Sequence, residues 1–372
     1  MGYNSFASKS EHELVHNKKY IIVKKPNIFS MNPTSKKPDS ATQKCQRILE
    51  ENGGLIAEKS RSIMLTDPEL TELKEPLEFI STNWRDPLTP SLLSLSCGAV
   101  GGKPKDTHDA ALAMSLINLS LFLWDDIIDK SHSKTFKPTL TGKYGSNTAL
   151  IVGGMVSAKA FSILNNMDFN QSKKNTLNRL IWNLLSVMAN VEMASLKMRT
   201  QETYSSKIKL WKIKTESIDP ETCLRIGAII GDGLVNEINS LGEYGRCLGT
   251  ILGLTNDFRV ATNLTLELAD KIKLKSLPYS LLLASERSNT LRKKLDQLLT
   301  KNKVDKNSIK LVVEAMLETS LFEDIEKKVD FFVQKAKESL EGLKENSATL
   351  ALRTFIELQP KFFVESIPFI ES

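Results

Sequence analysis

Cysteine is scarce in this chain. The four present, Cys45, Cys97, Cys223 and Cys247, form no CxxC pair among 372 residues. That excludes a zinc knot and a disulfide framework, and it makes a reducing, cytoplasmic setting the expectation. His12, His16, His108 and His132 are equally sparse and show no metal-ligand spacing. Long apolar runs are missing; stretches such as Ala149–Leu150–Ile151–Val152 are far too short for a bilayer, so no transmembrane segment is expected. No segment alternates like a strand between hairpin turns. Aromatics make up only 7% and do not interleave with the net charge of +6, which excludes a nucleic-acid surface. What remains, 41% hydrophobic and 25% charged residues, is ordinary for a globular chain.

Residues 1–40 differ from the rest. Lys18–Lys19, Lys24–Lys25 and Lys36–Lys37 alternate with Pro26, Pro33 and Pro38, and no period persists. They read as a basic, disordered tail suited to peripheral contact with an anionic membrane surface. No long apolar run follows the charges, so a secretory signal is not expected. Residues 41–372 carry a helical period almost throughout, with no Pro/Gly-rich linker, and predict one all-α domain. Asp39–Ser40 should cap a first helix that Gly53–Gly54 ends. Further helices are predicted over about 147–166, 174–200, 205–217, 221–235, 237–262, 278–300, 307–318, 321–341 and 345–357. Pro220 should kink or bound a helix.

The sharpest motif is Asp125–Asp126–Ile127–Ile128–Asp129, at the end of an apolar helical run. Asp125 and Asp129 stand one turn apart, and Asp126 is three residues from Asp129, so three carboxylates leave one patch. Like charges this close call for a cation, and Mg²⁺ bridges such carboxylates to substrate phosphates. Apolar residues upstream would line a pocket below. Positions one to three turns before Asp125, namely Leu121, Ile117 and Met114, with the small Ser120 beside them, are the candidate wall for a long hydrocarbon tail.

These residues, with Lys137–Pro138–Thr139, Lys143–Tyr144–Gly145, Asn147–Thr148–Ala149–Leu150, Lys214–Thr215 and Lys275–Ser276–Leu277–Pro278 in order, resemble the polyprenyl diphosphate synthases over about residues 75–300. The resemblance implies a class I isoprenoid synthase helical bundle around a deep apolar cavity. It implies two or three Mg²⁺ ions, an allylic prenyl diphosphate substrate and a homodimer. It also assigns Asp125, Asp126, Asp129, Asn256 and Asp257 to metal, and Lys214, Thr215 and Lys275 to the diphosphate.

The sequence departs from the family in two places. The second acidic motif survives only as Asn256–Asp257, with Val260 in place of its last aspartate. The basic motif that holds isopentenyl diphosphate is replaced by Arg85–Asp86–Pro87–Leu88–Thr89–Pro90, with Thr89 where an arginine is expected. Loss of cations weakens a second diphosphate site. The sequence therefore favours a Mg-dependent enzyme that ionises a C15 or C20 allylic diphosphate and cyclises or rearranges it, as a terpene synthase does. The alternatives are a prenyltransferase that elongates or passes the prenyl group to an acceptor, and a non-catalytic partner subunit.

Overall fold

The computed structural model describes residues 40–66, 71–134, 137–200, 205–263, 266–300 and 305–366. The basic tail, and with it the proposed membrane contact, lies outside the described residues. In chain order the α-helices are α1 Ala41–Ser62, α2 Lys74–Asn83, α3 Leu88–Ala99, α4 His108–Ile128, α5 Leu140–Tyr144, α6 Ser146–Asn166, α7 Gln171–Thr200 and α8 Ser206–Glu216. They continue as α9 Ile218–Ile230, α10 Val235–Thr262, α11 Leu266–Lys273, α12 Tyr279–Arg287, α13 Asn289–Leu299, α14 Lys306–Leu317, α15 Leu321–Ser339, α16 Ser347–Glu357 and α17 Gln359–Ser366. The all-α expectation holds, with one small exception. Ser133–Lys134 (β1) pairs antiparallel with Lys137–Pro138 (β2) in a short hairpin after the acidic motif.

Ser40 starts α1 as foreseen: its hydroxyl accepts the Gln43 N–H, and the Gln43 side chain accepts the Ser40 N–H. The expected stop at Gly53–Gly54 does not occur; α1 runs through to Ser62. These glycines serve a crossing instead. A Cβ on Gly53 would lie 2.4 Å from the Pro87 carbonyl oxygen and 2.5 Å from Ser91 Oγ, at the start of α3. Only a residue without a side chain allows this approach. Pro220 sits in the first turn of α9, where its missing N–H costs no helical hydrogen bond, so it marks a boundary. The predicted 278–300 helix is two, because Ser288 leaves helical geometry and caps α13 through the Leu291 N–H.

Helix α4 is the axis. Ala110, Ala113, Met114, Leu116, Leu119 and Leu123 are fully enclosed, as expected of a helix apolar on all sides. It packs on α6, while α9 lies between α3 and α10. Gly153 lets α6 approach the Trp124 indole, since a Cβ there would come 2.6 Å from Nε1. The expectation that nothing here is long and apolar enough to cross a bilayer needs correction. Pro104–Ile128 and Ser146–Asn166 both qualify by length and composition, although the first is mostly enclosed by the rest of the protein.

Candidate active site

The three motif aspartates are placed at the C-terminus of α4, in three different settings. The Asp125 side chain is 42% exposed and faces an open cavity. Asp126 is enclosed, with Lys134 Nζ 2.5 Å from its Oδ1 and no hydrogen-bond donor on Oδ2. Burial pushes its carboxyl up to about 6, against the pull of Lys134. Asp129 ends the helix and is gripped by Arg199 from α7 and Lys271 from α11. Burial opposes its ionisation, but Lys271 and Arg199 prevail and hold it well below the usual carboxylate range.

The cavity has a volume of about 1100 Å³. Its mouth is charged and its body apolar. From α4 it is lined by Leu121, Phe122 and Trp124, and from α7 by Trp182, Leu185 and Met188. Lys209, Lys212 and Glu216 of α8 line the mouth, with Asn256 and Asp257 of α10 on the neighbouring wall. Lys212 Nζ sits 2.7 Å from Glu192 and 3.3 Å from Glu216.

The structure therefore brings Asp125, Asp129, Asn256, Asp257 and Leu121 to one cavity, with Asp126 behind them. It does not bring the remaining candidates there. Met114, Ile117 and Ser120 are packed inside the core, and Ser120 Oγ donates to the Leu116 carbonyl. The reason is that α4 is covered on that side, so the open space lies toward α7. Lys214 is exposed, 5.6 Å over the Phe332 ring, and Thr215 bonds its own helix at the Trp211 carbonyl. On α8 the cavity-facing positions are 209, 212, 213 and 216, a helical stripe that leaves 214 and 215 outside. Lys275, at a left-handed φ of 55°, flanks a small hollow shared with Arg199 and Lys209.

Lys209, Lys212, Arg199 and Lys271 escaped sequence reasoning. Each is a single basic residue far from the motif in the chain, and only the helical stripe through 209 and 212 offered a signal.

The retained Asp257 is fully occupied. Its Oδ1 accepts the Tyr279 N–H, and its Oδ2 accepts the N–H and hydroxyl of Ser280. Asn256 Oδ1 accepts from Arg259, and Val260 is apolar. Near the motif, open carboxylate oxygen is offered by Asp125 and by the undonated Oδ2 of Asp126, and farther along the cavity Glu192 Oε2 also has no hydrogen-bond donor. Among the described residues no cluster of three or more acidic, histidine or cysteine side chains is arranged to hold a metal. The donors fit one ion on the α4 side and none on the α10 side.

In the segment that replaces the basic motif, the one arginine is already paired. Arg85 is held by both Glu50 oxygens (2.5 and 2.6 Å) and by Glu58 (2.6 Å). Thr89 is buried and accepts from Asn118 Nδ2. Asp86 caps the first turn of α3 through the Leu88 and Thr89 N–H groups.

A helical bundle with an acidic helix end over an apolar cavity is the class I isoprenoid synthase arrangement. Solved structures share the fold. Geranylgeranyl pyrophosphate synthetase from Pyrococcus horikoshii superposes with a TM-score of 0.73 at 20% identity, covering 87% of this chain and 98% of that one. Geranylgeranyl pyrophosphate synthase from Corynebacterium glutamicum, solved with isoprenyl diphosphate and magnesium, gives 0.71 at 14% identity, covering 85% and 98%. A sequence model of the polyprenyl synthetase family matches residues 73–316, and the chain belongs to that family. The short chain isoprenyl diphosphate synthase of Methanothermobacter thermautotrophicus is 28% identical over 173 residues, 46% of this chain and 53% of that protein. The heterodimeric geranylgeranyl pyrophosphate synthase large subunit 2 of Arabidopsis thaliana is 25% identical over 55% of this chain and 58% of its own length. The chain thus spans little more than half of these two relatives. Every one of these is named as a prenyl diphosphate synthase, which favours prenyl transfer over the cyclisation expected from the sequence.

Proposed function

We propose that the chain binds a C15 or C20 allylic prenyl diphosphate, ionises it and transfers the prenyl group to an acceptor. The observation that carries this reading is the single cavity with a charged mouth and an apolar body. Lys209, Lys212 and Lys271 stand where the leaving diphosphate would gain charge as the C–O bond breaks. Apolar side chains from α4 and α7, among them Trp124, Leu185 and Met188, would shield the allylic cation from water on those sides. Asp125 and Asp126 would hold a magnesium ion, which adds positive charge to the departing diphosphate.

Isopentenyl diphosphate is a poor acceptor in this reading, because Arg85 is already paired with two glutamates. Incubation with Mg²⁺ and C10, C15 or C20 allylic diphosphates, with and without isopentenyl diphosphate, tests it. Longer diphosphates restore chain elongation as the activity. Hydrocarbons or alcohols formed from the allylic substrate alone restore cyclisation or rearrangement. The occupied state of Asp129 and Asp257 favours one further reading, a partner subunit without its own chemistry. Absence of turnover with every substrate would select it.

A further inference from the structure

Glu192 of α7 and Glu216, the last residue of α8, line the cavity and share one cation, Lys212. Lys212 Nζ lies 2.7 Å from Glu192 and 3.3 Å from Glu216, so one carboxylate charge is left unmatched. The other acids of the lining are answered elsewhere. Asp129 has Lys271 and Arg199, Asp125 stands beside Lys134, and Asp257 is held by the Tyr279 and Ser280 N–H groups, with Lys209 near it.

Glu216 is the more open of the pair. Its side chain is 33% exposed against 15% for Glu192, and Lys212 is its one ion-pair partner among the described residues. Glu192 Oε2 is enclosed and receives no hydrogen bond. Burial first, with Glu192 and Asp125 behind it, raises the Glu216 carboxyl above the usual glutamate range, against the pull of Lys212. A carboxylate in this setting is short of donors, and an arriving O–H supplies one.

The surroundings restrict that donor. Ile213, one turn before Glu216, and Met188, one turn before Glu192, line the same cavity with apolar surface. The two glutamates repel a second anion, and Arg85 is not free to hold one. An uncharged amine attacks a carbocation before it loses a proton, whereas a hydroxyl is a weaker nucleophile and gains from a base.

We propose that Glu216 is the general base for prenyl transfer to an uncharged acceptor bearing a hydroxyl group. The inference rests on the proposed reading of the cavity as a prenyl-transfer site. The C–O bond of the allylic diphosphate breaks, and its electron pair leaves with the diphosphate. A lone pair of the acceptor oxygen forms the new bond to the allylic carbon. The O–H bond breaks, its electrons stay on that oxygen, and Glu216 takes the proton. The products are a prenyl ether and diphosphate. Lys212, anchored on Glu192, favours the ionised form of Glu216 that can accept the proton.

The test is incubation of the full chain with Mg²⁺, a C15 or C20 allylic diphosphate and 1-octanol or 1-naphthol, with ether and released diphosphate measured separately. Glu216→Gln should lower ether formation at saturating acceptor about a hundredfold or more, and Glu216→Asp should recover part of it. Binding of 1-naphthol by equilibrium dialysis should change less than about threefold, which places the loss in turnover. With aniline, uncharged at neutral pH, the loss should stay under about tenfold. Circular dichroism checks that each variant is folded. Ether formation by folded Glu216→Gln within about threefold of wild type overturns the base and leaves prenyl transfer standing. Diphosphate release without ether from either hydroxyl probe also overturns it, and leaves ionisation of the allylic substrate standing. An equal loss with aniline and the hydroxyl probes overturns it as well, marking an ion pair that only shapes the cavity. No diphosphate release with any substrate removes the enzymatic reading and the base with it.

Discussion

Asp257 caps the helix that begins at Tyr279, its Oδ1 accepting the Tyr279 N–H at 2.8 Å while Oδ2 takes Ser280. The α10 residue expected from the sequence to bind metal here holds the first N–H groups of α12. Replacing it with Ala leaves buried donors unsatisfied and should cost about 1–3 kcal/mol. Thermal unfolding of Asp257→Ala should shift down by several degrees, with or without Mg²⁺. An unchanged transition would show that α12 does not depend on this cap.

Asp125 and Asp129 should separate in a mutational comparison. Asp125→Asn touches an open side chain, so stability stays near wild type while turnover of an allylic diphosphate falls by about two orders of magnitude. Asp129→Asn strands Lys271 and Arg199 beside each other and should destabilise the fold by about 2 kcal/mol or more. Denaturant midpoints and rates on the same preparations check both. Equal stability loss in the two variants would contradict the different environments described.

Chain length should be read on α7 rather than α4. Ser120→Phe forces a ring into closed packing and should cost about 1–3 kcal/mol without changing the ratio of C10, C15 and C20 substrates used. Ser186 lines the cavity, so Ser186→Phe should shift use toward shorter substrates with little loss of stability. Competition assays with the three diphosphates decide between the two walls.

Asp219 gives a pH prediction. Burial and the nearby Asp86 push its carboxyl up to about 6, from 3.8 for an ordinary aspartate. An acid with a raised folded-state value binds its proton more tightly in the native protein. Its contribution to stability is therefore greatest below the ordinary value and is lost as pH rises from about 4 to about 6. Asp219→Asn should remove that loss, gaining about 1–3 kcal/mol over wild type at pH 7 relative to pH 4. Melting curves of both proteins across this range measure it.

The central helix and its acidic end were legible because one local stretch holds both signals: apolar residues recurring at helical spacing from Ala110 and aspartates at one-turn spacing. Pro220 and Ser40 were legible for the same reason, since each acts within its own turn. Gly53 was not, because its role lies in the distant Pro87 and Ser91. Ser120 looked like a cavity residue from helical phase alone, but phase does not tell which side of a buried helix meets a neighbour. Lys214 was favoured by its motif, whereas the break at Ser217 sets α8 so that positions 209 and 212 face inward. The cations on Asp129 come from α7 and α11, 70 and 142 residues away in the chain, and no local pattern announces them.

The far end of the cavity has a kinetic consequence. Trp182 and Leu150 line it and yet are 71% and 58% exposed, so the apolar body opens sideways between α6 and α7. For the proposed reaction, the head and the tail of a product then leave by different doors. The diphosphate departs through the lysine-ringed mouth, and the hydrocarbon departs across a greasy lip. Departure of the tail is set by what waits outside that lip. In plain water the tail has nowhere better to go, and product lingers. In detergent micelles or beside a lipid surface the same tail partitions away, and each catalytic cycle ends sooner.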